Sequence, residues 1–237
     1  MTLAEILAGL DHDITVRDDG LLSGTATIGQ PVDVIGISGR AFVGVDEALW
    51  LSGRVLETIR RGGDRPIVVL VDSGSQRMSK RDELLGLNEY LAHLAKSLLL
   101  ASQCGHRTVG LLYGHTAAGA FIATALATRV FVALPDAEPA VMDLPSMSRV
   151  TKLSLEVLEE KAKSSAVFAP GLDNLAKTGA VDAVLDPAQP LAPQLEHWLT
   201  EPAGRPDGRA RRGKSGGSRP AAERIALRVN ELARSAR

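Results

Sequence analysis

The stretch Pro66-Ile67-Val68-Val69-Leu70-Val71-Asp72-Ser73-Gly74 contains five consecutive apolar residues between a proline and a turn-forming Asp-Ser-Gly sequence. An apolar run of this length with such boundaries is typical of a β-strand whose two faces are both covered by other parts of the protein. Strands of this kind occur in sheets against which helices pack. The stretch therefore predicts an α/β layer fold.

The rest of the chain alternates short β-type runs with longer helical runs, which favours the same fold class. The predicted strands cover residues 23–28, 32–37, 67–71, 108–113, 129–134 and 182–185, and the predicted helices cover residues 46–61, 81–103 and 153–163. We expect Asp46 to cap the first of these helices. The residues predicted on the buried sides of the first two helices are Leu49, Val55, Leu56, Ile59, Leu84, Leu87, Leu91, Leu94 and Leu98.

The composition indicates a globular protein without a strong overall electric field. The chain has 237 residues, a formal net charge of -1 and a pI of about 6.5, so we expect neither nucleic acid nor a membrane surface as a partner. The first residues carry an early acid and no basic run, so a secretory signal is not expected. The single cysteine, Cys104, excludes a cysteine metal cage and favours the cytoplasm, and we expect it to be a small buried filler.

The C-terminal part of the chain differs in character from the rest. Residues 1–200 are predicted to form the folded domain. Residues 201–219 contain six basic and two acidic residues among Gly, Pro and Ser, so 201–220 is predicted to be a flexible basic linker. In the last segment, 221–237, Ile225, Val229 and Leu232 form a narrow apolar stripe, which predicts a helix that docks on another surface.

A second informative stretch is Gly114-His115-Thr116-Ala117-Ala118-Gly119-Ala120-Phe121, which follows a predicted strand and opens a helix of small residues. Small residues let backbone N–H groups approach a ligand, and a helix start directs partial positive charge to the same point. The end of the strand at 67–71 leads into a similar loop, Ser73-Gly74-Ser75, and two such strand ends can form one site. The glycine spacing of nucleotide-binding loops is not present, which disfavours that function.

The order of these stretches resembles the crotonase superfamily. Besides the two stretches quoted above, the chain contains Ala169-Pro170-Gly171-Leu172-Asp173-Asn174-Leu175 followed by Gly179-Ala180-Val181-Asp182-Ala183-Val184. More narrowly, the chain is similar to the carboxyltransferase branch and, within it, to the gamma subunit of biotin-independent malonate decarboxylase. Other carboxyltransferases have a more glycine-rich loop in place of Thr116-Ala117-Ala118 and a Pro-Gly turn in place of Ser73-Gly74-Ser75, and these differences disfavour a biotin-dependent enzyme.

The resemblance implies a crotonase-like ββα superhelix with stacked sheets and surrounding helices. It also implies a subunit that pairs with a homologous beta subunit and completes an active site at the interface. The substrate would be a malonyl thioester on an acyl carrier protein, carried by a CoA-like prosthetic group, and the products would be the acetyl thioester and CO2. An acyltransferase subunit of the same complex is a further implied partner, and this chain would itself bind no cofactor and no metal.

The resemblance also implies which residues hold the reacting oxygen. The backbone N–H groups of Thr116 and Ala117 would stabilise the negative charge that develops on the thioester oxygen when CO2 leaves, and Gly114 and Gly119 would shape the turn. Either His115 or Tyr113 would protonate the enolate, and a water molecule or a residue of the partner chain would serve equally well.

The loop Ser73-Gly74-Ser75 is the second candidate for substrate binding, and structural alternatives stay open for both loops. Residues 114–121 could be only a tight strand-to-helix connection, His115 a solvated or capping residue, and the two serines turn residues. Two other functions also remain. The first is a stand-alone crotonase-type hydratase or hydrolase, for which Glu138 and Asp143 are the nearby acids, and the second is a non-catalytic scaffold subunit.

Overall fold

The structure is a computed structural model that describes residues 1–164, 170–200, 208–215 and 221–235. Within these residues the strands are β1 (Asp11–Val16), β2 (Leu21–Ile28), β3 (Gln30–Val43), β4 (Ile67–Gln76), β5 (Thr108–Leu112), β6 (His115–Ala117), β7 (Val130–Ala133), β8 (Glu138–Ala140) and β9 (Ala183–Val184). The helices are α1 (Leu3–Ala8), α2 (Val45–Arg61), α3 (Lys80–Leu85), α4 (Leu87–Gln103), α5 (Ala118–Ala123), α6 (Leu144–Thr151), α7 (Leu155–Ser164), α8 (Leu172–Lys177), α9 (Leu191–Thr200), α10 (Arg209–Ser215) and α11 (Ala222–Ser235).

A seven-stranded sheet forms the centre of the fold, in the order β1-β2-β3-β4-β5-β7-β9. The first three strands are antiparallel, whereas β3, β4, β5, β7 and β9 run parallel to one another. Helices α2, α4 and α5 lie in the connections between the parallel strands, as parallel pairing requires. Strands β6 and β8 form a separate two-stranded parallel sheet. The predicted α/β fold class is therefore confirmed.

Two apolar cores cover the two faces of the large sheet. Strand β4 sends Val69 and Val71 into the first core, which also contains residues of α2, α4 and α5. The same strand sends Val68 and Leu70 into the second core, which is closed by α1 and α9. Because successive side chains of a strand point to opposite faces, a strand between two cores needs apolar residues at every position. This explains the unbroken apolar run that begins at Ile67.

Several element boundaries differ from those predicted by the sequence, and two of the differences change the assignment of an element. The predicted helix at 81–103 is divided into α3 and α4, because Gly86 adopts a φ of 85° and ends α3 in the left-handed conformation. Strand β4 continues to Gln76, whereas the sequence predicts a loop from Asp72, because β4 stays paired with β3 as far as Gln76. The loop Ser73-Gly74-Ser75 is therefore strand.

The prediction that Asp46 caps α2 is wrong. The N-cap of α2 is Gly44, whose N–H donates to the carboxylate of Glu47 at 2.8 Å. Asp46 lies in the first turn and pairs with Arg81 at 2.7 Å, and the hydrogen bond from Arg81 lowers the pKa of Asp46. Helix α2 thus begins without a side-chain cap at its N-cap position.

Burial follows the predicted helix stripes except at two positions. Val55, Leu87, Leu94 and Leu98 are buried, and Leu56, Ile59 and Leu91 are partly buried. Leu49 and Leu84 are 51% and 78% exposed, because Leu49 lies on the outer side of α2 and the break at Gly86 separates Leu84 from the stripe of α4. Cys104 follows the last turn of α4 and is exposed, so it is not the buried filler that the sequence predicts.

Part of the segment predicted as a linker is the helix α10, which is attached to the domain. Arg209 donates to the carbonyl oxygen of Leu126 at 2.9 Å. Arg212 forms an ion pair of 3.0 Å with Asp182, whose side chain is mostly buried. Two of the basic residues that suggest a solvated linker therefore bind specific partners in the fold.

The ends of the predicted linker, 201–207 and 216–220, lie outside the described residues, as do the last two residues of the chain. The predicted C-terminal helix is present as α11, and its apolar stripe faces solvent in the single chain. Ile225, Val229 and Leu232 are each more than half exposed. The docking role of this helix stays a prediction.

Candidate active site

The two strand ends singled out by the sequence meet at the carboxyl edge of the parallel sheet. The hydroxyl groups of Ser73 on β4 and Thr116 on β6 lie 2.8 Å apart and hydrogen-bond to each other. Both residues are fully buried. The side chain of Ser73 therefore joins the two strand ends and is not directed at a ligand.

Asp72, which sequence analysis treats only as a turn residue, organises this edge. Its Oδ1 accepts the backbone N–H of His115 at 2.9 Å, and its Oδ2 accepts the backbone N–H of Gly39 at 3.1 Å. Gly114 has no side chain because a Cβ atom there would overlap the carboxylate of Asp72. The sequence indicates this role of Asp72 only by its position directly after the predicted buried strand.

His115 is half-buried, and one of its ring nitrogens is fixed. Its Nδ1 lies 2.8 Å from the carbonyl oxygen of Ser73. A carbonyl oxygen can only accept, so Nδ1 must carry the hydrogen of this bond. In the neutral ring Nε2 then carries no hydrogen, so it is the ring nitrogen that a proton transfer would use.

The backbone amides of Thr116 and Ala117 point in opposite directions. Glu138 donates its N–H to the carbonyl oxygen of Gly114 at 2.9 Å, and the register pairs His115 with Glu138. In a parallel ladder with this register the next bond runs from the N–H of Thr116 to the carbonyl oxygen of Glu138. The amide of Thr116 is thus directed at β8, whereas that of Ala117 faces away from β8.

The backbone N–H of Gly119 hydrogen-bonds to the side-chain carbonyl oxygen of Gln76. The N–H donates to Oε1 of Gln76 at 2.9 Å, and Gln76 is the last residue of β4. Ala118, just before it, has a φ of 52°, which is rare for a residue with a side chain. From the sequence Gly119 is expected only to shape the turn, and Gln76 is not predicted, because a bond between positions so far apart in the chain forms only in the folded structure.

Gly74 and Ser75, the other two residues of the predicted loop, lie close to neighbouring backbone atoms. A Cβ atom at Gly74 would lie 3.0 Å from Cδ1 of Phe42 and 3.0 Å from the carbonyl oxygen of Arg40, so the glycine permits a close approach of β3. Ser75 is half-buried, and its hydroxyl donates to the carbonyl oxygen of Gln76 at 3.0 Å. Gly74 and Ser75 thus belong to the same edge as His115.

Tyr113 lies on the other side of the sheet from α5. Its ring packs in the second core, whereas α5 packs in the first. The hydroxyl group is buried and has no hydrogen-bond partner among the described residues. Burial, together with the negative charge of Asp72, raises the pKa of Tyr113. A phenol in this position is a weaker candidate for proton transfer than His115.

The two acids that a hydratase would need have other partners. Asp143 is the N-cap of α6 and accepts the N–H of Ser146 at 2.7 Å. Hydrogen bonds from the side chain and the backbone of Ser146 lower the pKa of Asp143. Glu138 forms an ion pair of 2.9 Å with Arg40. Neither acid is held in a pair that would act as acid and base.

A cleft of about 160 Å³ lies at the opposite, amino edge of the parallel strands, where Asp33, Arg54 and Arg61 are among the lining residues. The buried carboxylate of Asp33 accepts a hydrogen bond from Thr58 at 2.6 Å and pairs with Arg61 and Arg65. Its charge is thus balanced within the fold. In the described part of the chain no group of three metal-binding side chains is present, and no helix is long and apolar enough to cross a membrane.

The parallel sheet, the small second sheet and the joined ends of β4 and β6 define an α/β protein of the crotonase type. Transcarboxylase 12S has a similar fold, with a TM-score of 0.68 over 84% of this chain and 41% of that chain, at 18% identity. Two Pseudomonas structures are more similar. A malonate decarboxylase hetero-tetramer in complex with coenzyme A matches with a TM-score of 0.74 at 27% identity, over 93% of both chains. The MdcD–MdcE hetero-dimer matches with a TM-score of 0.74 at 26% identity, over 90% of this chain and 91% of that chain.

Two sequence comparisons identify the family to which this chain belongs. The malonyl-S-ACP:biotin-protein carboxyltransferase MADD of Malonomonas rubra is 30% identical over an alignment of 188 residues. The match covers 70% of this chain and 64% of that protein, so this chain spans less than two thirds of its length. A family model described as "Malonate decarboxylase gamma subunit" matches residues 38–233. The chain therefore belongs to the malonate decarboxylase gamma subunit family, which confirms the resemblance.

Proposed function

We propose that this chain is a subunit of a malonate decarboxylase complex and that, together with a homologous beta subunit, it converts a malonyl thioester into the acetyl thioester and CO2. Its family and its similarity to subunits of the Pseudomonas hetero-dimer and hetero-tetramer support this proposal. The observation that carries it is the N–H of Gly119, which already binds a carbonyl oxygen, that of Gln76, at 2.9 Å. An amide carbonyl is a chemical stand-in for the thioester carbonyl of the substrate.

The proposed reaction needs stabilisation of one oxygen atom. When the carboxylate leaves as CO2, its bonding electrons pass to the α-carbon and the negative charge spreads onto the thioester oxygen. A preorganised N–H donor at that oxygen typically lowers the activation free energy by about 2.7–4 kcal/mol. We propose Gly119 as the first donor and Ala117 as the second. Thr116 is not included, because the register directs its amide at β8.

The reaction ends when the α-carbon of the enolate takes up a proton. We propose His115 as the donor within this chain, because its Nδ1 is held by Ser73 and its Nε2 remains for proton transfer. Tyr113 is disfavoured because its hydroxyl group is buried in the second core. A residue of the beta subunit or a water molecule stays an alternative donor.

The proposed substrate arm and partners follow from the relatives. One relative acts by name on malonyl-S-ACP, and a solved relative binds coenzyme A, so a CoA-like arm on an acyl carrier protein is the proposed carrier. An acyltransferase subunit would load that carrier with the malonyl group. A cytoplasmic location suits the exposed thiol of Cys104, which a reducing compartment keeps free.

The test is release of labelled CO2 from malonyl-carrier protein and from malonyl-CoA. We expect no release by this chain alone and release after co-expression with the homologous beta subunit from the same organism. The beta subunit alone is the control. Release by this chain alone would favour a stand-alone enzyme, and full activity of the beta subunit alone would favour a scaffold role for this chain.

A further inference from the structure

Arg40 holds an unusual backbone conformation at the same edge of the sheet. Its φ is 55° and that of the preceding Gly39 is 68°, so two consecutive residues are left-handed. They lie where the pairing of β3 with β4 shifts register, between Ile37 and Ala41. Residues with a side chain seldom adopt this conformation outside functional sites or special turns, because the Cβ atom crowds the backbone.

The turn that carries Arg40 is tied to the candidate active site. The N–H of Gly39 donates to Oδ2 of Asp72 at 3.1 Å, and Oδ1 of the same carboxylate accepts the N–H of His115 at 2.9 Å. The carbonyl oxygen of Arg40 also lies against Gly74. One carboxylate therefore fixes the position of Arg40 relative to His115.

The guanidinium group of Arg40 lies at the surface on the same edge. Its Nη2 is 2.9 Å from Oε2 of Glu138, and the two side chains are 65% and 62% exposed. Glu138 is directly opposite His115 in the register of β6 and β8, so the ion pair is beside the histidine. Exposed ion pairs contribute little to stability, so this pair does not offset the cost of a left-handed conformation at an arginine.

We propose that Arg40 binds an anionic group of the acyl thioester, which is either the carboxylate of the malonyl group or a phosphate of its CoA-like arm. Both groups present oxygen atoms that match the planar fork of donors on a guanidinium group. In the absence of ligand, the ion pair with Glu138 holds the side chain of Arg40 in place. The bound anion then either replaces Glu138 as the partner of Arg40 or binds Arg40 together with it. This inference rests on the proposed function, because it takes a malonyl thioester as the ligand.

The test is the affinity of the assembled complex for three thioesters, measured by calorimetry with Arg40→Asn. Each malonyl thioester is used as a non-decarboxylating analogue, because the active complex would consume the thioester itself during the measurement. Asparagine tolerates the left-handed conformation, so the turn is kept while the charge is lost. We expect the Kd of malonyl-CoA to rise at least about tenfold, as is typical for loss of a charged hydrogen bond. Acetyl-CoA keeps the phosphates without the carboxylate, and malonyl-N-acetylcysteamine keeps the carboxylate without the phosphates. Weaker binding of only one of these two assigns the anion.

The control is Arg60→Gln, which removes an exposed guanidinium group from the last turn of α2 at the other edge of the sheet. We expect it to bind all three thioesters as the wild type does. Equal affinities of wild type and Arg40→Asn for all three would overturn the proposal, as would a wild-type complex that binds none of them. CO2 release from malonyl-CoA by the same preparation of the wild-type complex, measured in separate samples, tests the proposed function.

Discussion

Gly114 is the residue that allows the two strand ends to share one carboxylate. Asp72 lies so close to this position that a methyl group would overlap it, and the same carboxylate accepts the N–H groups of His115 and Gly39. A hydrogen-bond acceptor that is displaced leaves its donors without their partner. The position of His115 thus depends on a neighbouring residue that has no side chain.

We expect Gly114→Ala to lower the free energy of unfolding by about 1–3 kcal/mol, which is typical of overpacking. The same change should reduce decarboxylation in the assembled complex, because His115 moves with its amide. Urea unfolding of the isolated chain measures the first effect. Gly53→Ala in α2 is the matched control, since a Cβ atom there has no neighbour within 4 Å. It should leave stability equal or higher by up to about 1 kcal/mol. Equal stability of Gly114→Ala and wild type would contradict this account of Asp72.

At the residue scale the sequence predicts which loops meet but not how they meet. The small residues of 114–121 and the end of the strand at 67–71 are visible as local patterns. The bonds from Asp72 to His115 and from Gln76 to Gly119 each join residues 43 positions apart. A local pattern contains no information on such pairs. The amide of Thr116 is the clearest case, because only the register of β6 and β8 shows its direction.

At the element scale, the C-terminal helices combine an anchor with an exposed apolar stripe. Helix α10 is attached through Arg209 and Arg212, which bind Leu126 and Asp182. Helix α11 follows with Ile225 on its apolar stripe, and the match to the family model extends to residue 233. We therefore keep the prediction that this helix docks on another surface, for which the beta subunit is our candidate.

We expect Ile225→Gln to weaken the association of this chain with the beta subunit by about tenfold or more, because burial of an isoleucine side chain contributes about 1.5–3 kcal/mol. The control is Leu227→Gln. Leu227 has the same exposed fraction as Ile225, 58%, but lies on the opposite side of the helix. Surface plasmon resonance with immobilised beta subunit measures both variants. Equal losses for the two variants, or no loss for either, would contradict the prediction.

The helices and strands are predictable from the sequence where an apolar pattern reflects burial. They are not predictable where the conformation of a single residue ends an element. The run at 67–71 is a strand because two cores lie against it. The leucine spacing continues across Gly86, so the sequence predicts one helix where the left-handed glycine makes two. Strand β6, with three residues, is too short to give a periodic signal. The contacts of α10 are also not predictable, because its partners come from distant parts of the chain.

At the scale of the whole molecule, the fold explains why the candidate site lies at one edge of the sheet. Four parallel strands, β3, β4, β5 and β7, end at the same edge, and the turn at Arg40, the end of β4 and the start of α5 all lie there. The α/β class and the order of these elements are predictable from the sequence. A second chain at this edge would close the site, which agrees with our expectation that this chain is inactive alone.

The most direct test of the central claim is a crystal structure of the assembled complex with a non-decarboxylating malonyl thioester analogue. We predict that the thioester oxygen lies about 2.7–3.1 Å from the backbone nitrogen of Gly119, in the place of the side-chain oxygen of Gln76. A thioester oxygen bound elsewhere, with Gly119 still donating to Gln76, would contradict the claim that the backbone of this chain holds the enolate.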